Sequence, residues 1–416
     1  MSELAKNVRR YRRAAGLSQE DLAAASDLAA RTVQKVEQGG TVRTETLHAI
    51  ARGLGVPTSQ LFVAGSPAPV VEDETTRRSL VPIRMALMPP VGLDGVIADR
   101  APLSDTSVDL RQRILDVHTL YRADQFESVA TQLPILLRQT EAAVSAASGK
   151  ERRRATVTRA LALLVSGKYL TQVRQYDLAY QALSEGIRLA RDVEDRHTAA
   201  VGVVGLGWLL LRQDRFAECY QLAVTTAEAM EPRMADADSA RVGLWGELWM
   251  RAAASAVRDN RPEDAKQARR MAARAAAGMS REDRHFPSTW GGFGPVKVSI
   301  KSIEDVLVKG QSVSDARQVV ARSTRGVLEA RSMRKLGFPA EGADWHRHRL
   351  DLSLAYTVLG SHQDAMDELS GIKVSGAEWI RHQPMARRVM GDILRSRKRT
   401  LTRDMRDMAA YLGIVG

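Results

Sequence analysis

Residues 174–183 read RQYDLAYQAL, and the same order of residue types returns along the chain. DRFAECYQLA begins at 214, NRPEDAKQAR at 260, GSHQDAMDEL at 360 and DQFESVATQL at 124. Each copy opens on a polar turn, often with an aromatic two residues in, and then places a small residue near the start of a new helix. Val129, Ala179, Cys219, Ala265 and Ala365 hold that position, at intervals of 50, 40, 46 and 100 residues. The last interval fits one degenerate copy between. An amphipathic pattern of helical period precedes four of the turns, over 156–173, 198–212, 239–257 and 347–359. Helix, tight turn and helix, returning every 40 to 50 residues, predicts an α-solenoid. The small residue lets the two helices of a hairpin approach closely, so Cys219 reads as a buried apolar residue rather than a nucleophile.

Composition narrows the function classes. Of 416 residues only 5% are aromatic, which argues against a sandwich of aromatic strands, and no two-residue alternation is convincing. The formal charge of +12 favours polyanionic partners. Arginine outnumbers lysine 50 to 11 and only Asn7 and Asn260 are asparagine, a skew that speaks of codon usage. A single cysteine excludes internal disulfides and cysteine zinc sites. MSELAKNVRR has no apolar signal core and no run of 18 apolar residues occurs, so a cytoplasmic protein with no membrane partner is expected. The eight histidines form no ligand set, and no metal or cofactor is expected. The glycines of GGFGP at 291 follow no strand and precede no Gly-Lys-Ser/Thr, so they are not a phosphate loop; Gly294 and Pro295 fit the start of a helix over 296–309. No nucleophile elbow or paired acid and base carboxylates appear, so no catalytic residue is assigned and the chain is not read as an enzyme.

Three regions divide the chain: 1–62, a compact run of short helices; 63–105, a connector with six of the fourteen prolines; and 106–416, the solenoid. A short helix over 76–88, interrupted by Pro82, is expected inside the connector. The fold class is all-α.

In the first region Leu4, Val8 and Tyr11 share one helical face, and Ser18 with Asp21 starts a second helix, 19–25, as a capping box. After a turn at 26–28 comes ARTVQKVEQ, residues 30–38, with Val33 and Val36 inward and Arg31, Thr32, Gln34 and Lys35 pointing elsewhere. Thr44 is expected to cap a fourth helix with Leu47, Ile50, Ala51 and Leu54 inward, and a last turn ends at Leu61 and Phe62. Two short helices about a tight turn, braced by others, make a five-helix helix-turn-helix domain. Its net charge of +3 does not decide between a DNA-reading and a protein-docking module; the polar set on 30–38 favours DNA.

The strings LSQEDLA, TVQKVEQG and ETLHAIARGLGV resemble the XRE, or phage-repressor-like, helix-turn-helix family over about 60 residues. The resemblance implies roles. Gln19 matches a phosphate-contacting glutamine. Ala30, Arg31, Gln34 and Lys35 match the base-reading edge, and Thr32 a residue near the sugar–phosphate wall. Gln38, Arg43 and Thr44 lie where the family's loop meets phosphate. Arg12 and Glu37 match a structural ion pair. The partner implied is double-stranded DNA with a pseudo-palindromic operator, read by a homodimer. Two departures stand out: Ala29 replaces the usual Ser or Thr cap, and Asp27 a turn glycine.

The repeats resemble tetratricopeptide repeats with a longer period, and the whole layout is similar to Gram-positive, including actinobacterial, regulators that join the two parts. Many Gram-positive members respond to small secreted peptides, so the repeats are expected to sense a small molecule or peptide. Trp208, Trp245 and Trp249, on first helices of hairpins, are candidates for a ligand groove or for hairpin core; Arg241 and Arg251 are candidates to pair with a ligand carboxylate. The alternative is a DNA-tethered scaffold whose repeats bind a protein partner. Basic stretches at 266–284 and 395–406 are further candidates for phosphate contact.

Overall fold

A computed structural model describes residues 3–14, 17–40, 42–56, 58–62, 74–93, 95–96, 109–233, 238–309, 311–396 and 401–414. The N-terminal domain holds α1 (Glu3–Ala14), α2 (Gln19–Ala25), α3 (Ala30–Glu37) and α4 (Thr44–Gly53); its fifth element is a 3-10 turn, Thr58–Phe62. Val8, Leu22, Val33, Val36, Leu47, Ile50 and Leu61 form its core. Ser18 and Asp21 make the reciprocal capping box at α2. Asp27 takes the left-handed turn at φ 53°, a backbone Asp tolerates better than most residues. Ala29 caps α3 with no side-chain bond. One expectation is corrected: Arg43, not Thr44, is the residue before α4, and it makes no side-chain cap, so Thr44 is the first helical residue.

Between the two parts lies α5 (Glu74–Leu87), which runs through Pro82 unbroken. Its Leu80 and Ile83 are fully buried in the core of the repeats. A hairpin of two-residue strands, β1 (Val91–Gly92) and β2 (Gly95–Val96), follows. Apart from 88–90 and 93, the remaining connector residues lie outside the described set.

The body is a series of antiparallel pairs: α6 (Leu110–Arg122) with α7 (Phe126–Ala146), α8 (Gly149–Gln172) with α9 (Tyr176–Asp192), and α10 (Arg196–Arg212) with α11 (Phe216–Ala229). They continue with α12 (Ser239–Arg258) and α13 (Pro262–Ala277), then α14 (Pro295–Lys309) and α15 (Val313–Ser323). After the short α16 (Ala330–Lys335) come α17 (Ala343–Val358) and α18 (His362–Ser375), closed off by α19 (Ala377–Arg381), α20 (Pro384–Ser396) and α21 (Arg403–Tyr411).

One turn recurs. Asp124, Arg174, Asp214, Asn260 and Gly360 each follow the first helix of a pair with positive φ, between 55° and 77°. The next amide then bonds a carbonyl five residues back at 2.9–3.0 Å, as Gln125 to Leu120, Gln175 to Leu170 and Arg215 to Leu210. That left-handed cap closes one helix and aims the next. The small residues Val129, Ala179, Cys219, Ala265 and Ala365 all lie in the core. Close approach is visible where Cys219 Sγ donates to the Gly207 carbonyl at 3.3 Å and Ser353 Oγ to that of Ala365 at 2.8 Å. The degenerate copy is α14–α15: buried Ala316 stands 51 residues after Ala265 and 49 before Ala365, behind a Ser312 capping box.

The array bends until its ends meet. Phe126 N donates to Glu378 Oε2 at 2.8 Å, and Asp124 Oδ2 lies 3.5 Å from His346 Nδ1. The first helices α6, α8, α10, α12, α14 and α17 therefore face one interior. Residues 278–295, which interrupt the repeat, fold into it. Glu247 on α12 accepts from the amides of Trp290 and Gly291 at 2.7 and 2.8 Å, and Lys168 donates to the Trp290 carbonyl. Glu282 Oε1 accepts from Val296 N at 2.6 Å, beside the Pro295 that opens α14. A Cβ at Gly246 would overlap the Phe293 ring, and one at Gly205 the Trp290 ring. On an exposed helix Gly→Ala stabilises by about 1 kcal/mol. Here the sign is expected to invert: Gly246→Ala lowers stability by about 1–3 kcal/mol through overpacking, read as an earlier denaturant midpoint.

Candidate nucleic-acid interface and repeat-domain cavity

On α3, Arg31, Gln34 and Lys35 are exposed while Val33 and Val36 face the core. Ala30 and Thr32 are half-buried beside them, Gln38 and Arg43 are exposed past the end of α3, and half-buried Thr44 begins α4. The sequence-derived edge thus lies on one outward face. Arg31 suits guanine O6/N7, Gln34 suits adenine N6/N7, and Ala30 offers only a methyl.

Beneath that edge sits a charged anchor. Glu37, 1% exposed, takes Arg12 bidentately at 2.7 and 3.0 Å and the Gln19 amide at 2.7 Å, with Arg9 Nε at 3.7 Å. Arg9 also donates to the Glu37 carbonyl at 3.3 Å. Burial opposes the Glu37 charge, but Arg12, Gln19 and Arg9 outweigh it and hold the carboxyl below its usual range. The implied phosphate role of Gln19 is narrowed: one amide hydrogen serves Glu37, which leaves the other for a phosphate. Glu37→Gln leaves Arg12 without its counter-charge, and the expected loss is about 3 kcal/mol. The wild-type contribution is present above about pH 4.5 and lost as pH falls through the depressed native value. Hydrogen exchange across 17–56 checks this, with faster exchange in the variant at pH 7 and a shrinking difference in acid.

The interior of the repeats holds a cavity of about 390 Å³, within the size range of small-molecule sites. On α12 its wall is Glu247, Met250, Arg251, Ala254 and Arg258, one face at helical period. Trp245 and Trp249, two positions either side of Glu247, point the opposite way into the core, 1% and 6% exposed and edge-to-face at 6.3 Å. Exposed Arg241 lies in the first turn of α12 and does not line the cavity. Helix phase thus puts Trp245 and Trp249 in the hairpin core, the second of the two alternatives, and Arg241 away from the cavity, while Trp208 is on its wall, with the Arg212 guanidinium 5.4 Å from its ring centroid. Lys168 and Arg212 were missed. The available signal was Lys168 amid the apolar run ALALLVSGKYL and Arg212 at the end of another. Of the basic stretches, Arg269 is spent on Asp305 at 2.6 Å, and Arg397 and Arg399 lie outside the described residues.

Residues 8–61 match the family model described as helix-turn-helix. The N-terminal domain is thus of the kind that DNA-binding transcription regulators carry. No curated protein and no solved structure matches the chain.

The domain rests on the body through α4 and the Thr58–Phe62 turn. Arg52 Nη1 lies 3.5 Å from both the side chain and the carbonyl of Asp259, just past α12. The His48 ring meets Phe216 edge-on at 5.5 Å, α4 packs against α14, and the Arg388 guanidinium lies 5.9 Å from the Phe62 ring centroid. Burial, then Arg258 and Arg52, push His48 down to about 4, while Thr58 Oγ1 lies 2.7 Å from its Nδ1. A histidine depressed from about 6.5 contributes to docking above that value, and the contribution is lost as pH falls toward the lower one. Acidification from about pH 7.5 to 5.5 is expected to speed exchange at α4 amides after correction for intrinsic rate. His48→Gln should flatten that dependence although Asp259 and the other charged neighbours remain.

Proposed function

We propose that the chain is a sequence-specific transcription regulator. It reads a two-fold operator as a homodimer through Arg31, Gln34 and Lys35, and its repeats sense a small molecule or peptide in the central cavity. The observation that supports this reading is the outward set Arg31, Gln34 and Lys35 on a helix-turn-helix domain whose α4 rests on the wall of the cavity. The helix α12 belongs to both: Arg251 and Arg258 line the cavity, and the next residue, Asp259, meets Arg52. A signal that shifts α12 alters the seat of the reading head. Such coupling requires the signal to bind the two arrangements with different affinity.

Binding-site selection from random duplexes tests the reading. Arg31→Ala and Gln34→Ala should each cost about 1–3 kcal/mol at one preferred base pair and relax selectivity there. Unchanged base preference in both variants contradicts the assignment. Addition of culture extract to the selected duplex separates the two roles of the repeats. A low-mass component that shifts DNA affinity supports a sensor, and a co-purifying polypeptide with no low-mass effect supports a scaffold.

A further inference from the structure

The cavity wall carries ten basic side chains and four acidic ones. The four acids are already spent. Glu304 holds Arg258 at 2.6 Å and Lys301 at 2.7 Å, and Asp305 holds Arg269 at 2.6 Å. Asp344 lies 3.2 Å from Lys297, and Glu247, 3.5 Å from the same ammonium, caps the Trp290 and Gly291 amides. Arg122, Lys168, Arg212, Arg251 and Arg284 are left with no carboxylate partner among the described residues. Their stopgaps are weaker. Arg122 donates to the Arg284 carbonyl at 2.8 Å, Lys168 lies 4.4 Å from the Trp290 ring centroid, and Arg212 lies over Trp208. Arg251 Nε and Gln172 Nε2, both on the wall, have no hydrogen-bond partner among the described residues.

Each of the first helices α6, α8, α10 and α12 supplies one of these cations, and closure of the array turns them toward a common space. Unpaired charge inside a protein is costly, and an assembly of it marks a function. We propose that the cavity is a binding site for a small polyanion, a molecule of two or more negative charges borne on phosphate or carboxylate groups. Arg122, Lys168, Arg212, Arg251 and Arg284 are its recognition set. This rests on the sensor reading and names the chemistry of its signal. A cation or a neutral apolar peptide would leave the excess charge unanswered. Burial pushes Lys168 well below its usual range and Arg212 and Arg284 down to about 10. An anion among them offsets the cost of burial and favours the charged forms of these groups.

The test uses the full-length protein at constant ionic strength, with inorganic pyrophosphate and citrate as phosphate and carboxylate probes and spermidine as the cationic control. Calorimetry and tryptophan fluorescence should give saturable 1:1 binding of at least one anion and none of spermidine. Whichever of pyrophosphate and citrate binds more tightly tells the two anion chemistries apart. Arg212→Gln and Arg251→Gln should each weaken the anion about tenfold, the loss of one charge-assisted hydrogen bond, and Arg241→Gln should not. Both cavity variants should also melt at or above the wild-type temperature without anion, because each removes an unpaired charge. Arg31→Ala/Gln34→Ala should retain the anion, which excludes the DNA-reading face as its site. No binding of either anion, or equal affinity in Arg212→Gln, Arg251→Gln and wild type, overturns the proposal. Failure of the regulator reading looks different: the anion binds, but the affinity for the selected duplex does not change.

Discussion

A helix that ends on a left-handed residue sends the chain back at a fixed angle, and five of the hairpins here share that geometry at Asp124, Arg174, Asp214, Asn260 and Gly360. Repetition of one angle bends the array in one direction. Small residues such as Ala179 and Cys219 let the second helix of each pair lie close, so the first helices stay on the inside. The bend continues until Phe126 reaches Glu378. The cavity of the body depends on this closure, because it brings α6 and α17 to the same interior. The GGFGP segment would otherwise break the repeat; instead it finds room inside, against glycines that leave space for Trp290 and Phe293.

The two parts then divide their chemistry. The N-terminal domain pairs its inner charges and exposes its outer ones: Glu37 answers Arg12, while Arg31 and Lys35 face outward. The repeat interior pairs five of its ten basic side chains and leaves five with no carboxylate partner among the described residues. A field of one sign in an enclosed, low-dielectric space is strong, and it favours entry of the opposite charge. The end of α12 is where the two meet. Arg258 contributes to the cavity ion pairs through Glu304, and the neighbouring Asp259 faces Arg52 on α4.

Much of this was legible in the sequence, for reasons of period and punctuation. The capping pair Ser18 and Asp21, the inward Val33 and Val36, and the outward Arg31, Gln34 and Lys35 follow from local helix geometry. Repeat spacing gave the hairpins. Helix phase was not resolved where a helix is buried on nearly every side: α12 is buried over most of its length, so Trp245 and Trp249 fitted a groove and a hairpin core alike. The closure was also hidden, since contacts such as Asp124 with His346 span more than two hundred residues and leave no local signature. The same holds for the cationic interior. Lys168, Arg212 and Arg251 are single basic residues far apart in the chain, and only the curvature of the array makes them neighbours.

The central claim is that α3 reads base edges in the major groove of a two-fold site. Methylation protection of guanine N7 on a selected duplex tests it most directly. The account predicts protected guanines in two half-sites about 34–36 Å apart, related by a dyad and lost together in Arg31→Ala. Binding that leaves every guanine N7 open to methylation would contradict it.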